Sequence, residues 1–267
     1  REGWLDLAVD GGEASPPTTS WEKAITDRAV VASSASDSDT LCLGNHDDEV
    51  EIWSRRRDEL LSKTKVRGVT SVLVVPGGCF SIGDGRLRLN RASGEHGDYG
   101  DGYTAMSRAE NGLVALSGKT IVFLDNEGNR ISELEAEEGA SAMTRIGEDL
   151  IPLGFSDGSV AIWRKSGSNA ERTLSLRDLE ASPVTAMVPG PSGTVVVGYA
   201  NGTIGLWSLE TGERLHSRNL HGPVIHLHHE GRTLWAASEL GARLVLDLSV
   251  FYAEYCELME RVWSSVP

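Results

Sequence analysis

Apolar and polar residues alternate along short stretches of this chain, and the stretches recur. In Asp48-Glu49-Val50-Glu51-Ile52-Trp53, Asp157-Gly158-Ser159-Val160-Ala161-Ile162-Trp163 and Asn201-Gly202-Thr203-Ile204-Gly205-Leu206-Trp207, an Asp or Asn opens a turn, apolar residues follow at alternate positions, and Trp closes the run. Alternation with period two predicts a strand with one buried and one wetter face. Weaker copies end at Asn90, Leu124 and Asp247, so the end points 53, 90, 124, 163, 207 and 247 are spaced by 37, 34, 39, 44 and 40 residues.

Each of these runs is the third strand of a larger unit. A short apolar strand begins the unit: Ala29 to Ala32, Val69 to Leu73, Tyr103 to Met106, Ala140 to Met143, Val184 to Met187 and Val224 to Leu227. A second strand follows: Leu41 to Gly44, Cys79 to Gly83, Leu113 to Ser117, Leu150 to Gly154, Val195 to Gly198 and Leu234 to Ser238. It is almost wholly small or apolar, as expected of a strand covered on both faces. Polar fourth strands are expected at Asp58 to Ser62, Arg130 to Leu134, Arg172 to Leu176 and Arg214 to Arg218, where charge discourages pairing with other chains. Asp84-Gly85, Asp157-Gly158 and Asn201-Gly202 are read as two-residue hairpins, whose central residues take positive φ.

Repeats near forty residues, built from short strands, predict a β-propeller with one blade per repeat. The fold class is therefore all-β: a propeller of about six four-stranded blades, seven being the alternative. Trp4 to Val9 alternate as a closing strand would, and residues 10–27 read as a linker. The domains are residues 1–27, the propeller over 28–249, and a C-terminal segment over 250–267. Phe251, Tyr255, Leu258, Met259 and Val262 recur at helical spacing and predict an amphipathic helix, which packs on the last blade or docks another domain or chain.

Pro183 to Leu215 and residues 140–164 resemble blades of the WD-repeat family, and the resemblance extends loosely over residues 28–249. There are departures. Trp53, Trp163 and Trp207 are followed by Ser54, Arg164 and Ser208 rather than Asp, and His221-Gly222 reverses the usual Gly-His pair. The buried Asp–His–Ser/Thr–Trp network of that family is therefore expected to be incomplete, leaving packing to hold each blade. Quinoprotein-like propellers share the Thr-Gly turn after a Trp strand and are the rival resemblance. The WD-repeat resemblance implies a non-enzymatic scaffold for a protein or peptide; the alternative is a propeller-fold hydrolase or quinoprotein-like enzyme.

Composition narrows the partners. With 39 acidic and 25 basic residues the net charge is −14, which repels nucleic acid and favours a partner rich in Lys or Arg. Arg55-Arg56-Arg57 is the one basic run, and Asp58 and Glu59 blunt it. No apolar run has the roughly 18 residues of a membrane span. Cys42, Cys79 and Cys256 fit no disulfide framework and suit a reducing cytoplasm. Arg1 in place of Met, and an abrupt stop at Pro267, suggest a processed product or a piece of a larger regulatory protein.

The chemical motifs fare poorly, so no catalytic, cofactor or metal residue is assigned. His226 and His228 share a face at a spacing that can hold a metal, with His229 opposite, but a first strand can carry such residues without one. Asp47-Asp48-Glu49 and Asp98 to Gly102 gather carboxylates without the spacing of a calcium loop. Gly154-Phe155-Ser156-Asp157-Gly158 fits the letters of a nucleophile elbow, yet a strand follows where a helix is needed. Gly118-Lys119-Thr120 likewise leads into a strand, not the helix of a phosphate loop. What remains is a rim: the loops entering first strands and the turns joining second to third strands lie on one face. Arg67, Tyr99, Asp101, Glu138 and His221 are the candidate partner-binding residues, with Tyr103 just inside and Asp84, Asp157 and Asn201 beside them. Arg67 and Tyr99 are the expected anchors, because Arg and Tyr often carry interface energy.

Overall fold

A computed structural model describes residues 30–35, 39–167, 169–177 and 182–252. The expected closing strand at 4–9 and linker at 10–27 lie outside the described residues, as does nearly all of the expected C-terminal helix. Of that last segment, Ser249–Phe251 form a single 3-10 turn.

Six sheets follow one another, and within each the strands hydrogen-bond in sequence order. The first holds β1 (Val30–Ala35), β2 (Thr40–Asn45), β3 (Glu49–Ser54) and β4 (Glu59–Lys65). The second holds β5 (Val69–Val75), β6 (Gly78–Gly83), β7 (Arg86–Arg91) and the three-residue β8 (His96–Asp98). The third holds β9 (Tyr103–Ala109), β10 (Gly112–Ser117), β11 (Thr120–Leu124) and β12 (Arg130–Glu135). The fourth holds β13 (Ala140–Met143), β14 (Leu150–Phe155), β15 (Ser159–Ser166) and β16 (Asn169–Arg177). The fifth holds β17 (Val184–Pro189), β18 (Thr194–Tyr199), β19 (Thr203–Ser208) and β20 (Arg214–Asn219). The sixth has three strands among the described residues: β21 (Val224–Glu230), β22 (Thr233–Ser238) and β23 (Arg243–Asp247). These are the six blades of a β-propeller. The chain falls into two compact units, Arg1–Ser117 with Val122–Ser132, and Gly118–Ile121 with Glu133–Pro267.

Two irregularities repeat. Every first strand is bulged at its second residue: the ladder to the second strand skips Val31, Thr70, Thr104, Ser141, Thr185 and Ile225. A bulge turns its extra side chain out of the pleat. The second irregularity follows the tryptophans. Opposite Trp53, Trp163 and Trp207 the fourth strand skips Leu61, Thr173 and Leu215. The second sheet, with Asn90 in that place, has no such shift.

Apolar side chains between consecutive sheets make the core. In the first unit Cys42, Val50 and Ile52 pack on Val69, Val72 and Cys79, and Phe80, Ile82 and Leu87 pack on Tyr103, Leu113 and Val122. In the second unit Val160, Ile162 and Leu176 meet Val184, Val195 and Tyr199, and Val196, Ile204 and Leu206 meet Val224, Leu227 and Leu234. The second strands are buried as expected; every residue of β6 and β18 is buried. The third strands differ from expectation. β3, β11 and β19 are buried on both faces rather than one: in β19 the small Gly205 takes a position that alternation assigns to solvent, and in β3 such positions hold Glu49 and Glu51, buried with polar partners. Cys42 and Cys79 are free and buried, and burial, with Cys79 alongside, pushes the Cys42 thiol up.

Candidate interaction rim

The rim is built from entry loops clamped between turns. In the first unit Asp48 takes φ 60° and its carboxylate accepts the Gly68 N–H at 2.8 Å, while its carbonyl accepts the Val66 N–H at 2.8 Å. On the other side the Gly68 carbonyl accepts the Asp84 N–H at 3.3 Å. The next entry loop is held alike, the Gly85 carbonyl accepting the Tyr103 N–H at 2.9 Å. Asp84 and Gly85 have φ 47° and 74°, the pair of positive values a two-residue hairpin requires.

The other two expected two-residue hairpins are wider. Only the glycine has positive φ, 82° at Gly158 and 88° at Gly202. The Asp157 and Asn201 side-chain oxygens each accept the N–H two residues on, Ser159 and Thr203, at 3.0 Å. That local bond gives Asp and Asn a second way to close a turn. The Ser159 hydroxyl also donates to Asp157 and, ahead of the backbone bond, holds its carboxyl below the usual range.

Charged side chains on the first unit's rim pair with one another. Arg67 Nε lies 3.5 Å from Asp84 Oδ2, both well exposed. Arg86 bridges two carboxylates, with Nη1 3.2 Å from Asp98 and Nη2 3.1 Å from Asp101. Arg88 Nε is 3.6 Å from Asp98. The Gly100 N–H bond, then Arg86 and Arg88, lower the Asp98 pKa from its ordinary value. The structure thus brings Arg67 to Asp84 and Asp101 to Arg86. The sequence reading passed over Arg86 and Arg88; the available signal was their position at the start of β7, directly after the Asp84-Gly85 turn.

The tyrosines sit differently. Tyr99, expected as an exposed anchor, is half-buried. Its hydroxyl donates to the Glu127 carbonyl at 2.7 Å, its ring lies 5.8 Å from Phe80, and burial pushes its phenol up. It packs where Gly128 leaves room, since a Cβ there would sit 2.1 Å from the ring. Tyr103 is in the core, and its hydroxyl donates to the Tyr99 carbonyl at 3.4 Å. Both support the rim from beneath.

In the second unit Glu138 pairs with Lys119 at 3.2 Å, and the neighbouring Glu137 with Arg172 at 2.8 Å. His221 is exposed and its carbonyl accepts the Ser238 hydroxyl at 2.6 Å, tying its loop to the turn of the sixth sheet.

The histidine cluster disperses. His226 is half-buried, and burial, then neighbouring His228, lowers its pKa. His228 lies 3.6 Å from Glu230 and its ring 5.4 Å from Trp235. His229 approaches the Pro189 carbonyl at 2.9 Å and the Tyr252 hydroxyl at 3.1 Å. Among the described residues no three His, Cys, Asp or Glu side chains converge on one point as a metal site needs. Ser156 sits on a strand-to-strand turn, as expected. No helix among the described residues is long and apolar enough to cross a membrane.

The model of the anaphase-promoting complex subunit 4 WD40 domain matches residues 147–232, the stretch with the most regular repeats. No curated protein matches the chain. Among solved structures, the crystal structure of the computationally designed Ika8 protein is similar, with TM-score 0.62 and 20% identity over 83% of this chain and 72% of that one. At that identity the likeness concerns the fold. The six sheets make the chain a β-propeller, and residues 147–232 within it are similar to a WD40 domain.

Proposed function

We propose that this propeller is a non-enzymatic recognition module that captures a protein or peptide on its rim and serves within a larger regulatory assembly. The observation that carries the reading is the set of exposed ion pairs on clamped loops, Arg67 with Asp84 and Arg86 with Asp98 and Asp101. Exposed pairs of this kind contribute only about 0–1 kcal/mol, so a partner's charges can replace them at little loss. The loops themselves are fixed by backbone bonds, so little ordering cost falls on the propeller when it binds. Arg67, Asp101 and Asp84 are the contact residues of the first unit, with Tyr99 and Tyr103 holding them in place; Glu138 and His221 serve the second unit. The acidic balance favours a Lys/Arg-rich partner over nucleic acid, and the two buried free thiols suit the cytoplasm. The family match is to a subunit of a multiprotein complex, which accords with a scaffold role.

The test is affinity capture with wild type and the variants Arg67→Ala and Arg86→Ala. Both variants should melt as wild type does, while partner recovery falls and becomes less salt-sensitive. Unchanged recovery by both would remove the first unit's rim from the binding surface.

A further inference from the structure

The bulged second residue of each first strand is the most regular feature of the molecule, and the sixth sheet departs from its pattern. In the second, fourth and fifth sheets this residue is Thr70, Ser141 or Thr185, and its hydroxyl donates to a backbone carbonyl at 3.1–3.4 Å. In the third it is Thr104. In the first it is Val31, packed against the core. In the sixth it is Ile225, 50% exposed. The turn between second and third strands departs in the same sheet. Its tip bears Asp48, Asp84, Lys119, Asp157 or Asn201 in the other sheets and Leu240, 62% exposed, in the sixth.

Both departures lie at one end of the sheet. The Glu239 N–H donates to the Pro223 carbonyl at 2.9 Å, fixing the turn to the loop that leads into Ile225. Leu240 lies over Gly222, where an added Cβ would stand 2.6 Å from it. An exposed Leu alone is ordinary. Here two large aliphatic side chains stand exposed at one end of the sheet, Leu240 where all five sister sheets place a polar or charged group and Ile225 where four of them do. Beside them Glu239 is exposed and has no cationic partner among the described residues. Arg243, at the base of the turn, is already engaged. Elsewhere on this unit's described entry loops and second-to-third-strand turns Lys119 is the one Lys or Arg, against Glu137, Glu138 and Asp157.

We infer that the rim of the sixth sheet, with Leu240 and Ile225 as its floor and Glu239 as its charged flank, docks a peptide segment in which an aliphatic or aromatic residue stands next to Lys or Arg. The apolar side chain covers Leu240 and Ile225, and the cation meets Glu239. This rests on the reading of the rim as a binding surface and names the partner's chemistry at one place on it.

The experiment selects a random-peptide display library on the full chain and measures the enriched peptides by fluorescence anisotropy against Leu240→Asp, Ile225→Thr, Arg67→Ala and, as the control, Ile131→Asp, which alters an equally exposed aliphatic side chain on β12. The expected consensus pairs an apolar residue with an adjacent Lys or Arg. Binding should weaken by about tenfold or more in Leu240→Asp and by roughly threefold in Ile225→Thr, as for an anchor and its neighbour. It should hold in Ile131→Asp, and thermal melting should be unchanged in every variant. Enriched peptides that bind Leu240→Asp as tightly as wild type, a consensus without the basic residue, or no enrichment at all would overturn the inference. Peptides lost with Arg67→Ala but not with Leu240→Asp would overturn it while leaving the broader reading in place.

Discussion

The first sheet and the fourth and fifth sheets carry a tryptophan at the same point of the third strand, half-buried at Trp53 and Trp163 and buried at Trp207, and they treat its N–H in opposite ways. Trp53 Nε1 donates to Glu51 Oε2 at 3.0 Å, and Glu51 also accepts Asn45 Nδ2 at 3.4 Å although it is only 4% exposed. Two residues before Trp163 stands Ala161, and two before Trp207 stands Gly205. Neither of those indoles has an acceptor among the described residues. The magnitudes explain why both arrangements persist. Burying ~150–250 Å² of aromatic surface is worth ~4–6 kcal/mol. An unmade hydrogen bond costs about 1–3 kcal/mol. Packing wins, so the polar network can erode while the blade survives. Gly205 shows how far packing has taken over, because a Cβ there would lie 2.5 Å from Trp207 Nε1, where the indole rests on bare backbone. Arg214 caps the other side, 5.8 Å from the ring centre.

The largest test is Trp207→Ala, which should lose ~3–5 kcal/mol in equilibrium denaturation; a loss below about 1 kcal/mol would mean that packing does not hold this sheet. Next, Glu51→Ala should cost about 1–3 kcal/mol by stranding Trp53 and Asn45, and Glu51→Gln, which keeps an acceptor, less than about 1 kcal/mol. Equal losses in the two would show that the carboxylate's charge, not its bond to the indole, is what the first sheet uses. Gly205→Ala should cost about 1–3 kcal/mol by overpacking, whereas a neutral result in urea melts would place the indole elsewhere.

The smallest effect concerns pH in the sixth sheet. Burial holds His226 below its ordinary 6.5, so the fold favours the neutral imidazole. Its contribution is full above pH 6.5, declines as pH falls below that value while the unfolded chain takes the proton first, and levels off below the folded pKa. Urea midpoints compared at about pH 8 and pH 5.5 should fall less in His226→Gln than in wild type. Parallel curves would show that other groups set the slope.

The repeat was legible because its signal is steric. Each third strand ends within three residues of the anticipated position, and β13 matches end for end. The fourth strand of the second sheet escaped notice, since His96-Gly97-Asp98 is short and without apolar alternation. The sidedness of the third strands was misjudged because alternation reports residue type, and a Gly or Ala at a nominally wet position can equally be covered. At the rim, Arg67 and Asp101 were visible as loop residues, but their pairing with Asp84 and Arg86 depends on separate turns converging. Tyr99 read as exposed because its neighbours are glycines and aspartates. Only the space left by Gly128 on a distant hairpin draws its ring inward.

The bulge near the start of every first strand has a consequence for how such a protein can change. It sets one side chain per repeat outside the ladder, so that position is largely exempt from the demands of pleat and register. Thr, Ser and Ile already alternate there without altering the pairing around them. New recognition chemistry can therefore be written into this scaffold one letter at a time, in slots where mutation leaves the frame undisturbed.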